Sequence, residues 1–412
     1  MFRPFSFKSR VSNGLASLYS ARMILNIGNS LVGLFLPIFL FLVFDHRLSY
    51  TLIYYLIYYT AYLFLVALGA KFSLNKIGIK RAIIISTLFG AIYFAILFFI
   101  TGGRDATAAA GMSQMSIYIF LGVSIIFTAL QDLTYWVPVH TEMSKFTDRQ
   151  NRAKQLSILE SSSIAFNAVG PLFAGWVLAQ YGYNLLFFLA IFITIISVVP
   201  LFYLPPTEEK FSWTYRQTWK ELFSRQRRKT VLAFMGDGAE NVVSGIVWPI
   251  FIWEILKGNF FSVGAISSLI VVSTIFLELL VGKYADSSRR DRILHWGTIL
   301  YALGWFIKIF IDTAFQIFVV STYHNLVRLF TRTPFDTVLY ERAADSGHYV
   351  DEYTVIHEMA LMVGRILIIL LMLMLVPVFG IGLTFILAAL STLLMNLLID
   401  EKTAQEIRAR VK

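Results

Sequence analysis

Asn29–Phe39 reads NSLVGLFLPIF, and Asn241–Phe251 reads NVVSGIVWPIF. Asn29/Asn241, Gly33/Gly245, Pro37/Pro249, Ile38/Ile250 and Phe39/Phe251 coincide at a shift of 212 positions (241 − 29). The same shift lays Lys71-Phe72 on Lys283-Tyr284. Further on the shift shortens, in keeping with the longer first-half loop GGRDATAAAGMSQ (102–114). Pro138 then pairs with Pro334 (334 − 138 = 196), Glu160 with Glu358 (358 − 160 = 198), and YGYNLLFFLA (181–190) with FGIGLTFILA (379–388). Isolated matches arise by chance, but a series in chain order marks a duplication.

What is duplicated is apolar. Of 412 residues 57% are hydrophobic and 15% charged, whereas soluble domains carry roughly 25% charged side chains. Runs near the ~20 residues needed to cross a bilayer fall at about 22–43, 50–70, 82–101, 115–139, 158–180, 184–204, 231–254, 261–281, 293–312, 315–333, 355–377 and 379–399. Open strands cannot cross lipid with unpaired backbone groups. The expected fold is therefore an all-α integral membrane protein with twelve transmembrane helices in two pseudo-symmetric six-helix bundles. Its expected divisions are 1–204, a basic linker 205–230, and 231–412 with a short tail.

Basic residues sit at the N-terminus and in alternate loops, with the densest run, RQRRK (225–229), in the linker; the intervening loops hold only Arg47, Arg104 and Lys257. This asymmetry places both termini in the cytoplasm, in a multi-pass protein of the plasma membrane. The net charge of +10 is spread in short clusters, so no nucleic-acid partner is expected. In the linker Phe211, Tyr215, Trp219 and Leu222 fall on one helical face. That pattern suits a helix on the cytoplasmic lipid surface; a solvated tether is the other reading.

Two six-helix halves joined by a basic loop resemble the major facilitator superfamily of secondary transporters. GKYADSSRR (282–290) is similar to that family's G-x-x-x-D-x-x-x-R/K-R/K loop, and the resemblance gives Gly282, Asp286 and Arg290 gating roles. The first-half counterpart AKFSLNKIGIKR has Leu74 or Asn75 where Asp is expected. AVGPLFAGWV, containing Gly170–Trp176, resembles the family's Gly-Pro helix element. The resemblance implies alternating access by a small solute around a central cavity, with export and antiport favoured over uptake. A lipid flippase or a non-transporting sensor or scaffold on the same fold is the rival.

Ionisable groups at membrane depth are costly, which makes them functional candidates. Asp237 and Glu240 lie within about a turn of each other and are candidates for proton coupling; otherwise Asp237 meets water near a helix end. The resemblance makes Asn29 and Asn241 cavity residues, the alternative being interhelical packing bonds. Asp132 and Arg328 are counterparts at the 196 shift and could latch across the cavity, or each could snorkel toward the cytoplasm. Glu160 and Glu358 suit helix starts or gate contacts. Arg365 could bind an anionic substrate. Tyr55, Tyr58, Tyr59 and Tyr62 could line the cavity, with an interfacial belt as the commoner explanation.

Enzymatic readings find little support. The chain has no Cys, which removes thiol catalysis and cysteine metal sites. His357-Glu358 begins like a zinc-protease motif, but position 361 is Leu. There is no phosphate-cradling P-loop. A monomer with a small-molecule substrate, the lipid bilayer and protons as partners, and no cofactor or metal, is expected.

Overall fold

The computed structural model describes residues 13–101, 113–146, 152–207, 209–281, 290–345 and 350–398. Among them the regular elements are helical and there is no strand. The N-terminal elements are α1 (Asn13–Val32), α2 (Leu36–Val43), α3 (Leu48–Phe72), α4 (Ile79–Ile100), α5 (Gln114–Phe146), α6 (Arg152–Ile196) and α7 (Val198–Leu201). In the linker is α8 (Tyr215–Leu222). Then follow α9 (Arg228–Val242), α10 (Trp248–Ile255), α11 (Phe260–Val281), α12 (Arg290–Ile307), α13 (Ala314–Asp345), α14 (Val350–Phe379) and α15 (Gly382–Leu394).

The chain is thus a multi-pass helical membrane protein, although fewer segments meet the length and apolarity of a crossing than the twelve expected. Among the described residues six do so alone: 48–77, 79–100, 114–143, 168–201, 260–278 and 351–379. The α1–α2 pair, bent by 42°, makes a seventh. The physical reasons are local. Two expected spans merge into α6, where only Gly182 (φ +69°) leaves helical geometry. The stretch 294–310 is short, and α13 carries His324, Arg328 and Arg332.

The duplicated motif breaks its helix in both copies. After Val32 the chain turns before α2, which has Pro37 in its first turn. At the equivalent place a π-helical segment, Val243–Val247, precedes α10 with Pro249 in its first turn. Proline has no N–H to bond the carbonyl four residues back, which frees the preceding turn to widen or bend.

Within the N-terminal set, α1 packs on α6 and α4 on α5; within the C-terminal set, α9 packs on α14 and α15, and α12 on α13 and α15. The sets are joined by α6 with α11, by α3 and α5 with α14, and by α2 with α10.

The linker is docked to protein along part of its length. Phe211 precedes α8, which Thr214 caps by accepting from the Gln217 N–H. Of the expected stripe Phe211 and Leu222 are buried, Trp219 is half-buried and Tyr215 is exposed, while Trp213 and Thr218 are also buried; α8 packs on α3 and α14. Asn75 clasps the linker backbone: its amide oxygen accepts from the Phe211 N–H at 2.8 Å, and its Nδ2 donates to the Phe211 carbonyl at 3.0 Å. From the C-terminal set, Glu352 accepts from both the N–H (2.8 Å) and hydroxyl (2.6 Å) of Ser212. Thr207 donates to Glu142. A stretch of backbone held by polar partners on both sides, with Glu142 and Glu352 buried, is docked to protein, because bonds to buried carboxylates are strong where water is excluded.

Candidate functional site at the seam between helix sets

The seam between α3 and α14 concentrates polar groups that lipid would not tolerate alone. From α3, the Tyr58 hydroxyl donates to Asp132 of α5, and the Tyr62 hydroxyl to Glu358 of α14 at 3.4 Å. The Arg365 guanidinium lies over the Tyr59 ring, 5.0 Å from its centroid. Its hydrogen-bond contact is the Met362 sulfur at 3.8 Å, and its buried Nε has no acceptor. The rings form a continuous wall: Tyr58 and Tyr59 centroids are 4.9 Å apart, and Tyr55 stacks on Tyr59 at 5.9 Å. Glu358 also lies 3.7 Å from Nδ1 of His357, whose ring packs edge-on to Phe234.

A second cluster is confined to the C-terminal set. Asp237 on α9 forms an ion pair with Arg332 of α13 and accepts from Asn241 at 3.1 Å. One turn on, Glu240 accepts from the Tyr301 hydroxyl of α12 at 2.7 Å. Lys308 is buried with its ammonium 4.0 Å from the Trp248 ring centroid and 3.9 Å from that of Trp305.

The sets also touch on either side of the Arg365 region. Toward the linker, Thr141 of α5 donates to Asp351 of α14 at 2.8 Å. At the opposite end Phe41 and His46 pack on Trp253, with centroids 6.2 and 5.6 Å apart, and Phe35 meets Phe260 at 6.3 Å.

Residues 133–239 match the family model described as Major Facilitator Superfamily. The structure is similar to a crystal structure of a bacterial homologue of the iron transporter ferroportin, in an outward-facing state with soaked iron. The TM-score is 0.64 at 15% identity, covering 94% of this chain and 98% of that one. This is a major facilitator fold. The chain is also 24% identical over 303 residues to the uncharacterized protein YqgE of Bacillus subtilis (strain 168). That similarity covers 70% of this chain and 66% of the relative's length.

Within the major facilitator fold the sequence candidates separate into groups. Tyr55, Tyr59, Asp132, Glu358 and Arg365 converge at the seam. The buried tyrosines Tyr54, Tyr55, Tyr58, Tyr59 and Tyr62 correct the belt reading; only Tyr50, 42% exposed, suits an interface. Asp237, Glu240 and Asn241 share the second cluster. The two acids do not share one proton site there, because each has its own partner on a different helix. Asn29 is exposed on α1.

The Asp132–Arg328 latch is not formed. Asp132 is engaged by Tyr58, while Arg328 lies in the field of Tyr301, Glu240 and Asp237. Symmetry-related positions are equivalent in their own bundles and need not face each other. Gly282 and Asp286 lie outside the described residues. Glu160 and Arg290 lie on helices α6 and α12, with side chains outside the described set.

Sequence reasoning missed Asn75, Glu142, Asp351 and Glu352 as linker and seam contacts. A signal existed for one. Asn75 stands where the family loop is expected to carry Asp, and an amide, unlike a carboxylate, both accepts from the N–H and donates to the carbonyl of one residue.

Proposed function

We propose that this chain is a secondary transporter that moves a small solute by alternating access between two six-helix halves, residues 1–204 and 231–412, with twelve crossings, as a monomer of the plasma membrane. The solute site is the seam lined by Tyr55, Tyr59, Asp132, Glu358 and Arg365. One observation carries this reading: charged groups from two helices of opposite halves, α5 and α14, meet beside the tyrosines of α3 at membrane depth, between inter-set contacts on either side. Structural charges pair off within a bundle, whereas this cluster spans two bodies that must separate for a solute to pass. The linker clasp through Asn75 and Glu352 holds the linker end shut, and the Phe41–His46–Trp253 contacts hold the other. Export by proton antiport is the direction and coupling assigned, through Asp237 and Glu240, which exchange their protein partners for protons as the C-terminal half rearranges.

Counterflow in proteoliposomes under an imposed pH gradient tests coupling. Asp237→Asn with Glu240→Gln abolishes the pH-driven component and leaves gradient-free exchange; unchanged pH-driven flux rejects the coupling. Arg365→Gln abolishes both.

A further inference from the structure

The seam holds two carboxylates, Asp132 and Glu358, and one guanidinium, Arg365, and their hydrogen bonding is unequal. Each acid accepts from a tyrosine hydroxyl. Among the described residues Arg365 has neither an ion pair nor an oxygen acceptor, and its Nε is buried and unpartnered there. Leaving guanidinium hydrogens unbonded in a low-dielectric seam is costly. The group is held over the Tyr59 ring, its Cζ 5.0 Å from the centroid, a contact that positions a cation without neutralising it. Arg365 is only half-buried, so open space adjoins it, and its fork geometry matches a carboxylate.

Charge then limits the occupant. Asp132 and Glu358 both lie within Coulomb range of Arg365. A simple anion satisfies Arg365 but meets two carboxylates; a simple cation satisfies the carboxylates and meets Arg365. A solute bearing both signs meets both demands and brings no net charge into the seam. Tyr58 and Tyr59 connect the two poles: adjacent rings 4.9 Å apart, one bonded to Asp132 and the other beneath Arg365. Their faces suit an apolar or aromatic body between the charged ends.

Resting on the transporter reading above, we propose that the seam is a zwitterion site. A substrate carboxylate pairs with Arg365, its ammonium lies toward Asp132, and its side chain lies against the tyrosine wall, as in an aromatic amino acid or a short peptide.

The test is ligand-induced thermal stabilisation and titration of the full detergent-purified chain with phenylalanine, alanyl-phenylalanine, phenethylamine and 3-phenylpropionate. Expected is binding of phenylalanine or the dipeptide, with both single-charge analogues at least tenfold weaker. Arg365→Gln should raise Kd by about thirtyfold or more, as for removal of one member of a buried charge pair. Arg365→Lys should recover part of the affinity, and Asp132→Asn should erase the preference over 3-phenylpropionate. Equal binding of 3-phenylpropionate in the unmodified chain, equal binding of phenethylamine, no binding of either zwitterion, or binding indifferent to Arg365→Gln each overturns the proposal. Proteoliposome flux separates the two readings. Counterflow of another solute without zwitterion binding rejects only the site, whereas zwitterion binding without any flux rejects only transport.

Discussion

Gly175 of α6 and Gly264 of α11 face each other where the two helix sets cross, and a Cβ built on either would stand 3.2 Å from the Cα of the other. A Cβ on Gly175 would also lie 2.6 Å from the Phe260 carbonyl oxygen. Here the obstacle is backbone, which cannot rotate aside. Nearby, the Ser268 hydroxyl accepts from the Leu172 N–H at 2.9 Å, beside Pro171. The Gly-Pro element is thus a crossing point between the sets. Gly175→Ala or Gly264→Ala should force the helices apart at a cost of about 1–3 kcal/mol, as overpacking typically does. Ser268→Ala should be milder. Thermal unfolding in detergent checks the order, and equal effects at all three sites would contradict it.

The linker clasp predicts a change in accessibility. Because the chain has no Cys, a single Thr218→Cys introduces one thiol at a fully buried position on α8. In the clasped form maleimide labelling is slow. Adding Glu352→Ala removes both bonds to Ser212 and should speed labelling at least tenfold; Asn75→Ala should do the same from the other side. Asn75→Asp separates shape from hydrogen bonding, because a carboxylate keeps the bond from the Phe211 N–H but repels its carbonyl. Labelling rates unmoved by all three changes would mean that α8 is held by its apolar face alone.

Asp237 and Arg332 form an ion pair in which the carboxylate is 1% exposed and the guanidinium 34%. Removing one partner leaves an uncompensated charge, and the buried member governs the penalty. Arg332→Gln should therefore destabilise more than Asp237→Asn. A double-mutant cycle should give a coupling of about 0.5–3 kcal/mol. By contrast, exchanging charges between Asp132 and Arg328 should rescue nothing, because those residues serve different clusters. Rescue of transport by that exchange would reinstate a latch between them.

Lys308 is held between the rings of Trp248 and Trp305. A desolvated cation–π contact is worth about 2 kcal/mol, so Trp305→Leu should cost the lysine one of its two aromatic faces. Lys308→Met keeps the stem's volume without the charge, and in its presence Trp305→Leu should cost measurably less. Melting temperatures of the two single variants and the double variant decide it. Strict additivity would make the sandwich mere packing.

Although the twelve expected crossings were not all met among the described residues, the helical class and the repeated motif around Pro37 and Pro249 were legible in the chain itself. They are local consequences of bilayer chemistry: backbone groups in lipid must bond within their own segment, and proline removes one such bond wherever it stands. Candidate ionisable residues were legible for the same reason, since Asp132, Asp237, Glu240, Glu358 and Arg365 interrupt apolar runs. Their pairing depended on the tertiary structure. Helix rotation and register place Asp237 on Arg332, Asp132 on Tyr58, and Tyr59 beneath Arg365, and no periodicity along one helix specifies which face of a distant helix it meets. The linker shows the same division. Its aromatic stripe announced an amphipathic segment, but a stripe only requires an apolar surface. Asn75 and Glu352, brought to the linker by the packing of both helix sets, hold its backbone at Phe211 and Ser212 to protein, while Tyr215 on the same stripe stays exposed.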